Sequence, residues 1–278
     1  VKKILVAEDD ATTRQFFRGV LKAAGYSVAA AANGRTALDQ LKKSSFDLLI
    51  TDIWMPRMDG FELMARVRER GKGPKVVVLT SDDTPETLLT AVREQAYNYL
   101  RKPVDRKELV RVVESALEAD GEAPPIEVLS AKPNWVELLV PCDLNSAERI
   151  IGILLNLKAD LPDEVREQVG HAFRELLHNA IEWGGKLDPN QKVRISYLRA
   201  HRMLLYRIAD PGGGFRFEGL SHAALVNPPD EPTQHLEVRA EKGMRPGGFG
   251  LVMVKAMVDE LLYNEAQNEV VFIKYLDT

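Results

Sequence analysis

The chain has 278 residues, 45% of them hydrophobic and 28% charged, with 37 basic against 41 acidic side chains and a net charge of -4. That length predicts two domains, each able to bury its own core, and the ordinary composition excludes disordered, collagenous and fibrous classes. A single cysteine, Cys142, excludes an intramolecular disulfide and a site made of thiolate ligands.

No apolar run approaches the roughly 18 residues a membrane span needs, and the start, Val1 to Glu8, turns acidic too early for a signal peptide. A cytoplasmic protein with no membrane partner is therefore expected. The mild acidity, concentrated in the second half, also argues against nucleic acid, whose binding draws its affinity from lysine and arginine on phosphates.

In chain order, short apolar runs begin at Ile4, Val28, Leu48, Val76 and Tyr97. Helical candidates begin near Thr12, Gly34, Gly60, Pro85 and Asp105. Five such β/α units predict a doubly wound parallel sheet with helices on both faces, whose ligands collect at the carboxyl ends of the strands. The last helix carries the apolar stripe Leu109, Val112, Val113, Ala116 and Leu117, read as packing on its own sheet. This first domain spans residues 1–120. Residues 121–133, with a glycine and two adjacent prolines, read as a linker. Residues 134–278 have an α+β order. A strand-like run begins at Trp135, and helical patterns span Ser146 to Lys158 and Asp163 to Trp183. Strands begin at Val193 and Met203, and a helix at about Leu251 precedes a last strand at Val270.

Chemistry-bearing residues of the first domain fall at predicted strand ends: Glu8 and Asp9 after the first, Asp52 after the third, Thr80 after the fourth and Lys102 beyond the fifth. Three carboxylates in one crevice repel and call for a cation, and oxygen-only ligands favour a hard ion such as Mg²⁺. A carboxylate can attack phosphorus, provided a metal and a lysine screen the two anions. Asp52 is the nucleophile candidate and Lys102 the screening cation.

These residues, with the run Asp52 to Gly60, Thr80-Ser81 and Lys102-Pro103, resemble the receiver domain of two-component response regulators. The resemblance implies that Glu8 and Asp9 hold Mg²⁺, together with Asp52 and the backbone carbonyl of Trp54. It further implies that Asp52 accepts a phosphoryl group from a cognate histidine kinase, and that Thr80 and Tyr99 reorient when it arrives. Glu8 stands where aspartate is commoner, which lengthens one arm of the metal site.

In the second domain Glu175 and Asn179, four apart, share one helix face. Asp210 opens a glycine cluster, Asp210-Pro-Gly-Gly-Gly-Phe215, where backbone can approach a planar ligand. A second cluster, Gly247 to Gly250, leads into a helix whose first amides favour phosphate. Together and in this order the three resemble the ATP-binding domain shared by histidine kinases, gyrase, Hsp90 and MutL, and more closely the anti-sigma-factor serine kinases. The resemblance implies that Glu175 is a general base, Asn179 holds Mg²⁺ and Asp210 reads adenine. It also implies that Gly212 and Gly214 line the nucleotide, Gly248 and Gly250 line the phosphates, and Arg245 in a lid reaches the γ-phosphate. Trp183 stands where histidine is frequent, and Gly213 is an extra glycine in the second box. His171 and His178 lie in or beside the first box's own helix, and the linker has no room for the separate dimerising hairpin that a phosphoaccepting histidine would need.

The expected protein is a response regulator whose output is an ATP-dependent serine/threonine kinase in partner switching. Its partners would be a histidine kinase and an anti-sigma-factor antagonist or sigma factor. The alternative is an ATP-binding anti-sigma or adaptor module that sequesters partners without phosphotransfer. A homodimer through either domain is compatible with the pattern.

Overall fold

The computed structural model describes residues 1–71, 73–81, 84–118, 124–132, 134–156, 161–214, 233–241 and 249–276. They divide into two compact units, the chain first passing from one to the other between Pro125 and Ile126. Among the described residues no helix is long and apolar enough to cross a membrane.

The first unit alternates β1 (Lys3–Ala7), α1 (Ala11–Ala23), β2 (Ser27–Ala31), α2 (Gly34–Lys43), β3 (Leu48–Asp52), α3 (Gly60–Glu69), β4 (Lys75–Thr80), α4 (Pro85–Arg93), β5 (Asn98–Arg101) and α5 (Arg106–Glu118). All sheet pairs are parallel, in the order β2-β1-β3-β4-β5. Every residue of β3 is buried, as a strand covered on both faces requires. The doubly wound fold read from the alternation of runs is thus the fold observed. Helix starts are set by side-chain caps. Asp10, Asn33, Asp59 and Thr84 accept from the backbone amides of Thr13, Thr36, Glu62 and Thr87 respectively, satisfying donors that a helix leaves open. Leu109, Val112, Val113 and Ala116 of α5 lie in the same core as β1, β3 and β4, with Leu117 packed at its margin, so the stripe serves its own sheet.

The second unit contains β6 (Glu127–Lys132), β7 (Trp135–Pro141), α6 (Leu144–Asn156) as far as Ile151, α7 (Asp163–Asn179), β8 (Lys192–Ala200), β9 (Met203–Ala209), α8 (Gln234–Glu241), α9 (Gly250–Met257), β10 (Glu260–Tyr263) and β11 (Glu269–Tyr275). Its sheet is antiparallel, in the order β10-β11-β9-β8-β7-β6. One face is apolar in alternation, for example Val193, Ile195 and Tyr197 beside Leu204, Tyr206 and Ile208. Phe173 of α7 meets Tyr206 at 5.3 Å between ring centroids, and Tyr206 stacks on Phe272 at 4.9 Å. This α+β layering agrees with the expected second domain.

Three elements depart from the sequence reading. The stretch 121–133, read as a linker, contributes β6, which pairs with β7 through an irregularity between Val128 and Ser130. An edge strand needs little apolar alternation of its own, because its backbone hydrogen bonds come from one neighbour. The helix expected from Asp163 to Trp183 ends at Asn179 and continues as a π-helical turn, Ala180–Gly184. Strand β10 was hidden behind α9, since Glu260–Tyr263 is too short to show a period of two.

Candidate functional site

In the first unit the strand order itself builds the acidic pocket. β1 and β3 are adjacent and in register from Ile4 with Leu48 to Ala7 with Thr51, so Glu8 and Asp52 leave neighbouring strands at the same end. Carboxylate oxygens of Glu8, Asp9 and Asp52 lie within 4.8 Å of one another. Glu8 is fully buried and Asp52 is 6% exposed, while Asp9 is open to solvent. Lys102 Nζ donates to Asp52 Oδ2 at 2.6 Å and sits 2.7 Å from Glu8 Oε2. Burial pushes the Glu8 carboxyl above its ordinary value, against the opposing pull of Lys102. Burial alone would lower the Lys102 pKa, but its hydrogen bonds to Asp52 and Glu8 outweigh that and hold it raised.

The surroundings fix these groups. Arg14 Nη1 donates to the carbonyls of Glu8 at 2.7 Å and Asp9 at 3.0 Å, clamping the loop after β1. The Lys102 amide donates to the Thr80 carbonyl at 2.8 Å, and the Lys102-Pro103 peptide is cis. Thr80 is fully buried and Tyr99 is 2% exposed, so Tyr99 lies inward. Trp54, two residues beyond Asp52 in the loop, is 58% exposed. Gly60 donates its amide to the Ile53 carbonyl at 2.8 Å, and a Cβ there would collide with the Asp52 carbonyl oxygen and lie 2.9 Å from Ile53 Cα. Arg14 and Gly60 carry no chemistry of their own, which is why residue-type reasoning passes over them. The donor set, three carboxylates open on the Asp9 side, fits a hard divalent ion with water in its remaining positions.

In the second unit Asn179 Nδ2 donates to Glu175 Oε1 at 3.3 Å, so the two residues meet on one face of α7 as the spacing predicts. Gly250, the first residue of α9, packs directly on this carboxylate. A Cβ there would overlap Glu175 Oε1 and Cδ and stand 2.8 Å from its Cγ. The Glu175 carboxylate therefore lies at the N-terminus of α9, where amides and helix dipole favour negative charge.

Asp210 leaves the end of β9. Its Oδ1 accepts from the Gly212 amide at 2.8 Å, and its own amide donates to the Asn268 carbonyl at 2.8 Å. Burial raises its pKa, partly opposed by the Gly212 hydrogen bond. Gly214 has φ +81°, and a Cβ there would strike the Ala266 carbonyl. Gly213 has open space around its α-carbon, so the extra glycine crowds nothing. Trp183, in the π-helical turn, is 60% exposed. His178 Nε2 lies 3.2 Å from Glu148 Oε1, which also accepts from Arg174 at 2.6 Å. Cys142 is fully buried, and burial pushes its thiol up to about 11, which leaves it inert at neutral pH. Gly248 and Arg245 lie outside the described residues. Glu175, Asn179 and Gly250 come together at one locus; Asp210, Gly212 and Gly214 form another. For a nucleotide, a partly buried carboxylate among glycines is a donor-reading group, and a helix N-terminus beside a carboxylate and an amide suits a phosphate chain with its metal.

Comparison with known proteins gives the same division. The response regulator receiver domain family model matches residues 4–114, and the histidine kinase-like ATPase domain family model matches residues 140–274. An uncharacterized 14.6 kDa protein in the sodA1 3' region of Leptolyngbya boryana is 42% identical over 113 residues, 40% of this chain and 86% of that protein. The transcriptional regulatory protein ZraR of Escherichia coli is 33% identical over 127 residues, which is 44% of this chain and 29% of ZraR. Among solved structures, the Vibrio cholerae chemotaxis protein CheY4 is 34% identical with a TM-score of 0.41, covering 42% of this chain and 99% of its own. The 86% coverage of the Leptolyngbya protein and the two consecutive family matches support one conclusion: the chain belongs to the response regulators, with a receiver domain followed by a histidine kinase-like ATPase domain.

Proposed function

We propose that this response regulator is phosphorylated on Asp52 and governs an ATP-dependent protein serine/threonine kinase, the second domain, in a partner-switching pathway. In the receiver, a carboxylate oxygen of Asp52 attacks the phosphorus held on a histidine kinase's imidazole. The P–N bond breaks as the P–O bond forms, and the imidazole leaves with a proton from solvent. Lys102 screens the approach of two anions; Glu8, Asp9, Asp52 and the Trp54 carbonyl would hold a Mg²⁺, which would supply further charge neutralisation there. Thr80 and Tyr99 read the new charge out to the surface.

In the second domain Asp210 accepts a hydrogen bond from the exocyclic amine of adenine, Gly248, Gly250 and Arg245 address the phosphates, and Asn179 would hold the Mg²⁺ that accompanies ATP. The substrate hydroxyl gives its proton to Glu175 as its oxygen attacks the γ-phosphorus, and ADP leaves with the broken P–O bond's electrons. The observation that carries the kinase reading is the placement of the Glu175 carboxylate, with Asn179, against the first turn of α9. On the resemblance to anti-sigma-factor serine kinases, the proposed substrate is an anti-sigma-factor antagonist bearing the acceptor serine.

The test incubates the protein with γ-labelled ATP, Mg²⁺ and an anti-sigma-factor antagonist shown to bind it. Label on the antagonist, lost with Glu175→Ala, is the expected result. Tight ATP binding without transfer to a partner shown to bind would instead make the domain a sequestering adaptor.

A further inference from the structure

Two glycines that belong to none of the three boxes lie beside the residue that the proposed function assigns to the base. Gly184 closes the π-helical turn and Gly185 is the next residue. Neither takes a left-handed conformation, since the positive-φ glycines among the described residues are Gly25, Gly71 and Gly214. Their need for glycine is therefore one of space. A Cβ on Gly184 would overlap the Asp210 carboxyl carbon and Oδ1 and come 2.5 Å from Asp210 Cβ, so the clash reaches past the flexible end of the side chain. A Cβ on Gly185 would overlap Cys142 Sγ and come 2.6 Å from Cys142 Cβ. The pair is thus sandwiched between Asp210 on one side and the buried Cys142 on the other.

The backbone of Asp210 and Gly212 is held by Asn268, in the turn between β10 and β11. Its carbonyl accepts the Asp210 amide at 2.8 Å, and its Nδ2 donates to the Gly212 carbonyl at 2.9 Å. Asn264 fixes that turn by accepting from the amides of Asn268 and Glu269 and donating to Asn268 Oδ1 at 2.8 Å. With Oδ1 tied to the Gly212 amide, the remaining oxygen of Asp210 has one direction left to it. π-helical turns of a single turn occur often at functional sites, where the extra residue re-aims the backbone beyond it. Here the turn carries the backbone of Gly184 onto the carboxylate.

We infer that Gly184 and Asn268 are positioning residues for base selection: together they hold the Asp210 carboxylate in the orientation that distinguishes an amino-purine from a purine lacking the amine. The inference rests on Asp210 being the base reader. A Cβ at position 184 would push the carboxylate aside, and loss of the Asn268 side chain would release the Gly212 carbonyl and with it the turn whose amide holds Oδ1; in either case selectivity falls although the phosphate contacts remain.

The experiment measures binding of ADP and of purine riboside 5'-diphosphate, which lacks the 6-amino group, to the full-length protein by titration calorimetry, with thermal unfolding of each variant. Gly184→Ala and Asn268→Ala are expected to weaken ADP about tenfold or more while purine riboside diphosphate changes less than about twofold, with a thermal midpoint close to wild type for Asn268→Ala and lowered by overpacking for Gly184→Ala. Asn268 lies in a surface turn, so its variant remains informative if Gly184→Ala folds poorly. Equal losses for both nucleotides would reveal a merely structural role and overturn the inference. If Asp210→Asn abolishes the selectivity but both variants keep it, the inference falls and the base-reading role of Asp210 stands. If Asp210→Asn itself leaves the selectivity unchanged, that reading fails and the inference with it.

Discussion

Lys102 is the residue on which the acidic pocket balances. It meets Asp52 at 2.6 Å and Glu8 at 2.7 Å, and Glu8 has no access to solvent that could replace it. Removing one partner of a buried charge cluster costs about 3 to 5 kcal/mol because the others stay desolvated. Lys102→Ala is therefore expected to lower receiver stability by about that amount in EDTA and by visibly less in millimolar Mg²⁺, measured by urea titration. Asp52→Asn should abolish labelling by the cognate histidine kinase, and a variant that still accepts phosphate would displace Asp52 as nucleophile. Asp210 gives a pH dependence. Its raised folded pKa means that folding favours the protonated form, so its contribution to stability is present below the ordinary aspartate value and is lost as pH rises through the folded pKa. Base reading needs the opposite form. ADP affinity should thus fall as pH drops through a folded pKa above 3.8, and Asp210→Asn should remove that dependence along with about tenfold or more of the affinity, as calorimetry across pH would record.

At the scale of elements, two glycines show how close packing brings the groups together. Gly60 begins α3 against the backbone of Asp52 and Ile53, neither of which can swing aside as a side chain could. Gly60→Ala is expected to cost about 1 to 3 kcal/mol through overpacking and to slow phosphorylation by shifting the Asp52 backbone. Gly250 meets instead the end of a flexible side chain, Glu175. Gly250→Ala should leave the thermal midpoint nearly unchanged while displacing the carboxylate, so that phosphotransfer at saturating ATP falls about 10²-fold or more, beyond whatever is lost in ATP affinity, the scale of losing a general base. The same elements mark the limits of reading a sequence. Strands β1, β3 and β4 announce themselves as apolar β-branched runs, and the capping residues Asp10, Asn33 and Asp59 sit where the helices begin. β6 and β10 do not, because an edge strand or a four-residue strand is specified by its neighbour's open hydrogen bonds rather than by its own pattern.

For the whole molecule, β6 moves the division of the chain. A fragment starting at Ile126 keeps the strand that pairs with β7, whereas one starting at Asn134 exposes β7 as a new edge. The shorter fragment is expected to be less stable and more prone to associate, which denaturant titration and size-exclusion chromatography would show. By itself, the sequence determined the two fold classes, the parallel sheet's pocket of Glu8, Asp9, Asp52 and Lys102, and the helical pairing of Glu175 with Asn179. Each of these comes from periodicity, from charge at strand ends or from spacing along one helix, all of them local rules. Only the tertiary structure decided that Gly250 seats Glu175 at a helix N-terminus, that Arg14 clamps the loop of Glu8 and Asp9, and that Gly184 and Asn268 meet Asp210. The Arg14 clamp is local but made to backbone carbonyls, and the glycine and Asn268 contacts join residues distant in the chain; backbone acceptors and excluded volume leave no period and no residue type to be read until the chain has closed on itself.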